Sequence, residues 1–319
     1  INKMNNYNRK KDIVNKLSQL KLPEQRSKEW YYMRKNVLTA SSLASALGEN
    51  YYLSREQLIY DKIADEKPYV SNPITEWGIK YEDIAIKFYE HLNNVSILEF
   101  GMITHPDFPI FGASPDGICN DASIEFTGRM LEIKCPPKRK FTKTVPKHYW
   151  IQMQGQLECC NLDECDFLQV KLEEYDSFDQ FKLDTNSKNG YTKQNYPKGV
   201  TITYRELFSE KNIYLYPELF QSDDDYLSWI NEKKQWINDN NFEFVENKWW
   251  YIIRYECTLV NRDTEWWNNT MGEIINFWKD IEYYKRVGLD ELIKKIDKKK
   301  YKKNITYVNI SDIDKCLID

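Results

Sequence analysis

Residues 111–156 read FGASPDGICNDASIEFTGRMLEIKCPPKRKFTKTVPKHYWIQMQGQ, and two short pieces of this stretch decide the fold. The first is Ser114-Pro115-Asp116-Gly117, whose Pro-Asp-Gly sequence predicts a turn. The second is Leu131-Glu132-Ile133-Lys134-Cys135, apolar and polar in alternation, which predicts a half-buried strand. Side chains on a strand repeat every two residues, so Glu132 and Lys134 share a face. A carboxylate and an amine therefore lie side by side, and a second carboxylate, Asp116, sits on the turn sixteen residues before. Two carboxylates and a strand carbonyl, that of Ile133, make a hard oxygen set suited to Mg²⁺ or Mn²⁺. A lysine beside such a metal can orient or deprotonate a water. Taken alone, Glu-x-Lys on a strand is usually a solvated face carrying a cross-strand ion pair.

The context gives the pattern its weight. Pro136-Pro137 ends the strand. Lys138, Arg139, Lys140 and Lys143 follow, a cluster that reads either as solvated surface or as a track for phosphates. Residues 146–161 then read as a helix with Trp150, Met153, Leu157 and Cys160 on one face. Gln152, Gln154 and Gln156 are neighbouring polar positions on it.

This order of turn, strand and glutamine-bearing helix resembles the PD-(D/E)xK nuclease superfamily. Within it, the chain resembles the lambda-type exonucleases, the YqaJ-like viral recombinases. The resemblance implies a restriction-endonuclease-like α/β core: a central mixed sheet flanked by helices, here with an inserted subdomain. It implies that Asp116, Glu132, the Ile133 carbonyl and Glu82 hold the metal. Lys134 then positions the water or neutralises developing charge. Of the glutamines, Gln154 is expected to reach the site, with Gln152 second. Glu82 falls on a predicted helix with Ile79, Ile86 and Tyr89 near one face, where an acid is costly unless paired or metal-bound. The other reading of Glu82 is a helix-edge acid paired with Lys80 or Lys87.

Upstream, Ser27 is a good N-cap for a helix through Arg34, and Ser41-Ser42 starts another that ends at Gly48. Arg34 and Ser41 stand where the resembled family holds the 5′-phosphate of a DNA end. A guanidinium grips phosphate bidentately, and hydroxyl-bearing helix starts add donors. Lys138, Arg139, Lys140 and Gln152 complete the expected DNA contacts.

The resemblance covers roughly residues 25–175, the strand 248–260 and a helical tail, with its pieces in the family's order. The expected divisions are a helical extension over 1–24, the nuclease core over 25–175, an insertion over 176–247, and the last core strand with C-terminal helices over 248–319. Strands are expected over 95–102 and 108–113, and the strand over 166–175 is expected to close the sheet. The tail ends in a basic run that includes Lys294, Lys295, Lys300, Lys302 and Lys303.

Composition sets bounds on this. The 319 residues are 29% charged and 15% aromatic, which fits a folded chain with one large domain or two small ones. A formal net charge of −4 argues against a positively coated protein but leaves room for a local basic groove. No apolar run has membrane-spanning length and no secretory signal is visible, so an intracellular, non-secreted protein is expected. The seven cysteines are irregularly spaced, which suits free thiols in a reducing compartment, and no four-ligand iron–sulfur spacing stands out.

The activity implied by the resemblance is Mg²⁺-dependent 5′-to-3′ digestion of double-stranded DNA ends, with Mn²⁺ substituting, in viral or phage recombination. A single-strand annealing protein and a ring-shaped homo-oligomer are the implied partners, and a membrane is not. Two other readings stand beside it: a structure-selective or nicking endonuclease on the same core, and a non-catalytic DNA-binding or host-interaction protein. The full set at Asp116, Glu132 and Lys134 speaks against the last.

Overall fold

The computed structural model describes residues 2–65, 72–120, 123–138, 141 and 144–299. Arg139, Lys140, Lys143, Lys300, Lys302 and Lys303 lie outside the described residues. Helix α1 (Asn2–Ser18) lays Val14 and Leu17 on the core. Helix α2 (Lys28–Asn36) begins where the Ser27 hydroxyl accepts the Trp30 N–H, the cap its sequence predicts. Strand β1 (Leu38–Thr39) and helix α3 (Ala40–Ala46) follow at once, then α4 (Arg55–Ile63), capped by Ser54. Helix α5 (Pro73–Asn93) has proline in its first turn, where a missing N–H costs nothing, and stops at Asn94 in the left-handed conformation.

Four short strands come next: β2 (Ile97–Leu98), β3 (Ile103–Thr104), β4 (Phe111–Ala113) and β5 (Gly117–Cys119). Strand β6 (Met130–Lys134) leads through helix α6 (Lys147–Cys160) to strand β7 (Glu164–Glu174). Beyond it lie α7 (Phe178–Leu183), β8 (Lys198–Glu206), β9 (Ile213–Leu215), α8 (Asp223–Asp239), β10 (Phe242–Asn261) and α9 (Thr264–Val287).

Seven strands form the main sheet in the order β2-β5-β6-β7-β10-β8-β9. Strands β6 and β7 run parallel, which requires the α6 crossover, and the other pairs are antiparallel. The sheet is therefore mixed, as expected. Two expectations change. Strand β7 does not close the sheet but lies at its centre, because the 20-residue β10 returns along it from Trp250 to Asn261. The strands expected over 95–102 and 108–113 shrink to β2 and β4, and β3 forms between them. Of these, β3 and β4 join β1 in a separate three-stranded sheet. The segment 176–247 adds β8 and β9 to the far edge of the main sheet, and β10 runs through residues 247 and 248. It has its own apolar cluster around Phe181, Val200, Tyr226 and Trp249.

Alternation along β7 sorts the two faces. Phe167 packs with Met153 and Leu157 of α6 and with α3. Leu168, Val170 and Leu172 pack with Tyr81, Ile84 and Phe88 of α5. A buried polar set fastens α5 to the sheet: Asp166 on β7 accepts from Arg129 Nη1 at 3.1 Å and from the Tyr89 hydroxyl at 2.7 Å. The six described cysteines are free thiols. No helix among the described residues is long and apolar enough to cross a membrane.

Candidate active site

The antiparallel register Gly117↔Leu131 puts Asp116 opposite Glu132. A side chain at Gly117 would meet Ile97 Cγ2 at 2.3 Å, so glycine is what lets β2 close against β5 here. Acids facing each other across a strand pair repel, and here Glu132 is fully buried and Asp116 half-buried. Hydrogen bonds hold it in place. Asp116 Oδ2 accepts the Ile133 N–H at 2.6 Å. Glu132 has no exposed surface; its Oε1 accepts from Lys134 Nζ and from Gln152 Nε2 at 2.7 Å, and its Oε2 from Gln156 Nε2 at 2.7 Å.

Burial, and then Glu132, push the Asp116 carboxyl well above the usual range, although Lys134 pulls it back. Burial works against the charge on Lys134, but Glu132 and Asp116 outweigh it and hold the ammonium above the ordinary lysine range. The two carboxylates thus favour the charged form of Lys134.

The glutamines are sorted by helix geometry. Gln152 and Gln156 are four residues apart and share a face, while Gln154 points elsewhere. The expectation that Gln154 reaches the site is corrected: its Nε2 donates to the Asn261 carbonyl at 2.9 Å and its Oε1 accepts the Asp263 N–H at 2.7 Å. It fastens the joint between β10 and α9. Gln156, which the sequence reading passed over, holds Glu132 in its place. Its i, i+4 relation to Gln152 was the available signal.

Glu82 arrives from α5. The Cys135 thiol donates to the Tyr81 carbonyl at 3.6 Å, which sets Glu82 at the end of β6. Its Oε1 pairs with Arg26 Nη2 at 2.9 Å, and neither Lys80 nor Lys87 is its partner: Lys80 pairs with Glu174 and Lys87 with Glu218. Burial raises the Glu82 carboxyl; Arg26 and then Lys134 oppose that. Arg26 has φ 67, a left-handed conformation that is strained for a non-glycine residue. No sequence signal marked it.

Arg34 Nη2 donates to Ser41 Oγ at 3.0 Å, and Ser41 Oγ lies 3.1 Å from Thr39 Oγ1. The Trp30 ring lies 4.3 Å from the Arg34 guanidinium, and its Nε1 donates to Ser114 Oγ at 3.0 Å. Trp30 therefore links the Arg34–Ser41 pair to the loop that carries Asp116. Lys62 donates to the carbonyls of Arg34 and Val37. Burial, and then Arg34, push Lys62 down to about 7. One cleft of about 1710 Å³ reaches from Arg34, Thr39 and Lys62 past Arg26 to Asp83. Lys138 lines a separate groove with Lys171 and Arg254.

Among the described residues, no three acidic, histidine or cysteine side chains converge as a ready metal cage. The donor set still fits a hard divalent cation. Asp116 and Glu132 offer carboxylate oxygens beside the Ile133 main chain.

Residues 29–163 match the family model of the YqaJ-like viral recombinase domain, the family expected from the order of the motifs. An uncharacterized protein of Acanthamoeba polyphaga mimivirus is 31% identical over 92% of this chain and 58% of its own length. A protein of African swine fever virus is 28% identical over 42% of this chain and 46% of its own length. The chain thus spans about half the length of these curated relatives. Among solved structures, an alkaline exonuclease from Laribacter hongkongensis aligns over 85% of this chain and 99% of its own, with 20% identity and a TM-score of 0.47.

Proposed function

We propose that this chain is a divalent-metal-dependent deoxyribonuclease that digests duplex DNA from its ends, 5′ to 3′, in viral recombination or replication. The observation that carries the reading is the acid pair Asp116–Glu132 on adjacent strands, braced by Lys134, Gln152 and Gln156. The match of residues 29–163 to a viral recombinase domain supports it.

Asp116, Glu132 and the Ile133 carbonyl would hold Mg²⁺, with Mn²⁺ substituting. When bound, the metal supplies an activated water and a counter-charge for the transition state. The chain's own groups do the rest. Lys134, held charged, offsets negative charge that builds on the phosphoryl oxygens. Gln152 and Gln156 fix the Glu132 carboxylate so that its oxygens cannot rotate away. Glu82, held by Arg26, adds negative charge next to the acid pair. Arg34 and Ser41 receive the 5′-phosphate, the guanidinium as a charged fork and the hydroxyl as a further donor.

The test is hydrolysis of 5′-phosphorylated linear duplex by the purified chain and by its Asp116→Asn and Glu132→Gln variants. Hydrolysis with Mg²⁺ should fall on the order of a hundredfold to a thousandfold or more in each variant, with DNA binding kept. Unchanged turnover in either folded variant would overturn the assignment.

A further inference from the structure

A second groove, of about 780 Å³, is lined by Lys138, Lys171 and Arg254 and by the rings of Phe141, Tyr196 and Tyr251. Strand register ties it to the acid pair. Lys134 on β6 lies beside Gln169 on β7, and Lys171 is two residues further along the same face. That step is about 7 Å. Across the next strand pair, Arg254 is the register partner of Lys171. The register shift between Ile252 and Arg254 re-aims β10 here, so that Arg254 shares the Lys171 face while Ile252 stays in the core beneath α5.

Two cations directly opposite each other on a sheet face are unfavourable without an anion between them. Each has a glutamate two residues along its own strand, Glu173 at 3.9 Å from Lys171 and Glu256 beside Arg254. Neither glutamate lines the groove. Among the described residues the one acid that does, Asp184, already accepts the Tyr175 hydroxyl at 2.8 Å and the Lys193 N–H at 2.9 Å. The rings stand among the cations: the Arg254 guanidinium lies 5.3 Å from the Phe141 ring, and Tyr196 is 40% exposed. Cations interleaved with rings, Tyr196 exposed and Phe141 and Tyr251 half-buried, suit a single strand, whose phosphates and unstacked bases are both available. A duplex hides its base faces and would leave the rings idle.

We infer that this groove binds single-stranded DNA leading to or from the acid pair. The origin of that strand rests on the nuclease reading proposed above. Gln194 and Tyr196 come from the segment 176–247, which thereby contributes a wall of the site.

Fluorescence anisotropy of a labelled oligothymidylate, read in EDTA on the full chain, tests the groove. Tyr196→Ala should weaken binding about tenfold. Lys171→Gln combined with Arg254→Gln should flatten the slope of log K on log salt by about 1.4, or about 0.7 per lost phosphate contact. Affinity for blunt duplex should stay as in the unmodified chain. Photocrosslinking of an iododeoxyuridine oligonucleotide to the unmodified chain should mark Phe141, Tyr196 or Tyr251. Unchanged oligothymidylate affinity and slope, an equal loss for blunt duplex, or crosslinks confined to other residues would each overturn the inference. No metal enters the binding measurement, so an absence of hydrolysis counts against the nuclease reading alone.

Discussion

Gln154 and Gln156 differ by two positions and do different work. Gln156→Ala takes a donor from the buried Glu132 Oε2, and Gln154→Ala strands the Asn261 carbonyl and the Asp263 N–H. Each should cost about 1–3 kcal/mol of stability, the usual range for an unsatisfied buried partner. Only Gln156→Ala should also slow hydrolysis, as parallel melts and rates on duplex DNA would reveal; equal rates would detach Gln156 from the site. The sequence showed three glutamines on one helix, but picking the pair that faces Glu132 needed the helical phase relative to β6, which alternation alone does not supply. Lys62 gives a second residue-level prediction. Its folded value of about 7 lies below the ordinary lysine value of 10.5. Between those pH values the unfolded chain holds the extra proton, so stability rises with pH across the window, by at most about 1.4 kcal/mol per pH unit. Below pH 7 both states are protonated and the fold carries the full penalty of a buried cation. Lys62→Met should flatten the rise, measured as the difference in melting temperature between the two proteins from pH 7 to 10; a parallel shift would contradict it.

The elements the sequence marked best are those whose signals are local. Ser27, the Leu131–Cys135 alternation and the Pro136-Pro137 stop after β6 announce themselves within a few residues. The placing of β7 at the centre of the sheet was not legible, because its second neighbour, β10, follows only after α7, β8, β9 and α8. Period-two patterning says that a strand is half-buried or fully buried but not which distant strand lies beside it. The buried set of Asp166, Arg129 and Tyr89 was likewise hidden, since its members come from β7, the loop before β6 and α5. Asp166→Ala leaves Arg129 buried with its main partner gone, and should cost about 3–5 kcal/mol. Chemical denaturation would check this; a loss under about 1 kcal/mol, the range of an exposed pair, would mean that the network is not what fastens α5.

At the scale of the whole molecule, a net charge of −4 coexists with local gatherings of cations: Arg26 and Arg34 in one cleft, Lys171 and Arg254 in the other groove. Local arrangement, and not total charge, governs binding to a polyanion. The Arg34–Ser41 pair predicts that a duplex with 5′-phosphate ends is digested about ten- to a hundredfold faster than one with 5′-hydroxyl ends at limiting substrate, the worth of one charge-assisted contact. Arg34→Ala should erase most of that difference, and equal rates on both ends in the unmodified chain would remove the case for a 5′-end pocket. The order of motifs was enough to anticipate the acid pair, since its residues lie within one 46-residue stretch, 111–156, and the mixed sheet followed from the resemblance that this stretch carries. The bracing by Arg26 and Trp30 comes from a different part of the chain and carried no motif. The central claim is that the acid pair serves metal-dependent digestion from DNA ends. It is tested most directly by a time course on linear duplex beside a covalently closed circle of the same sequence, each with Mg²⁺ and with EDTA. The account predicts that the linear DNA is consumed only with Mg²⁺ while the circle stays intact. Nicking of the circle at the rate of linear digestion, or digestion that persists in EDTA, would contradict it.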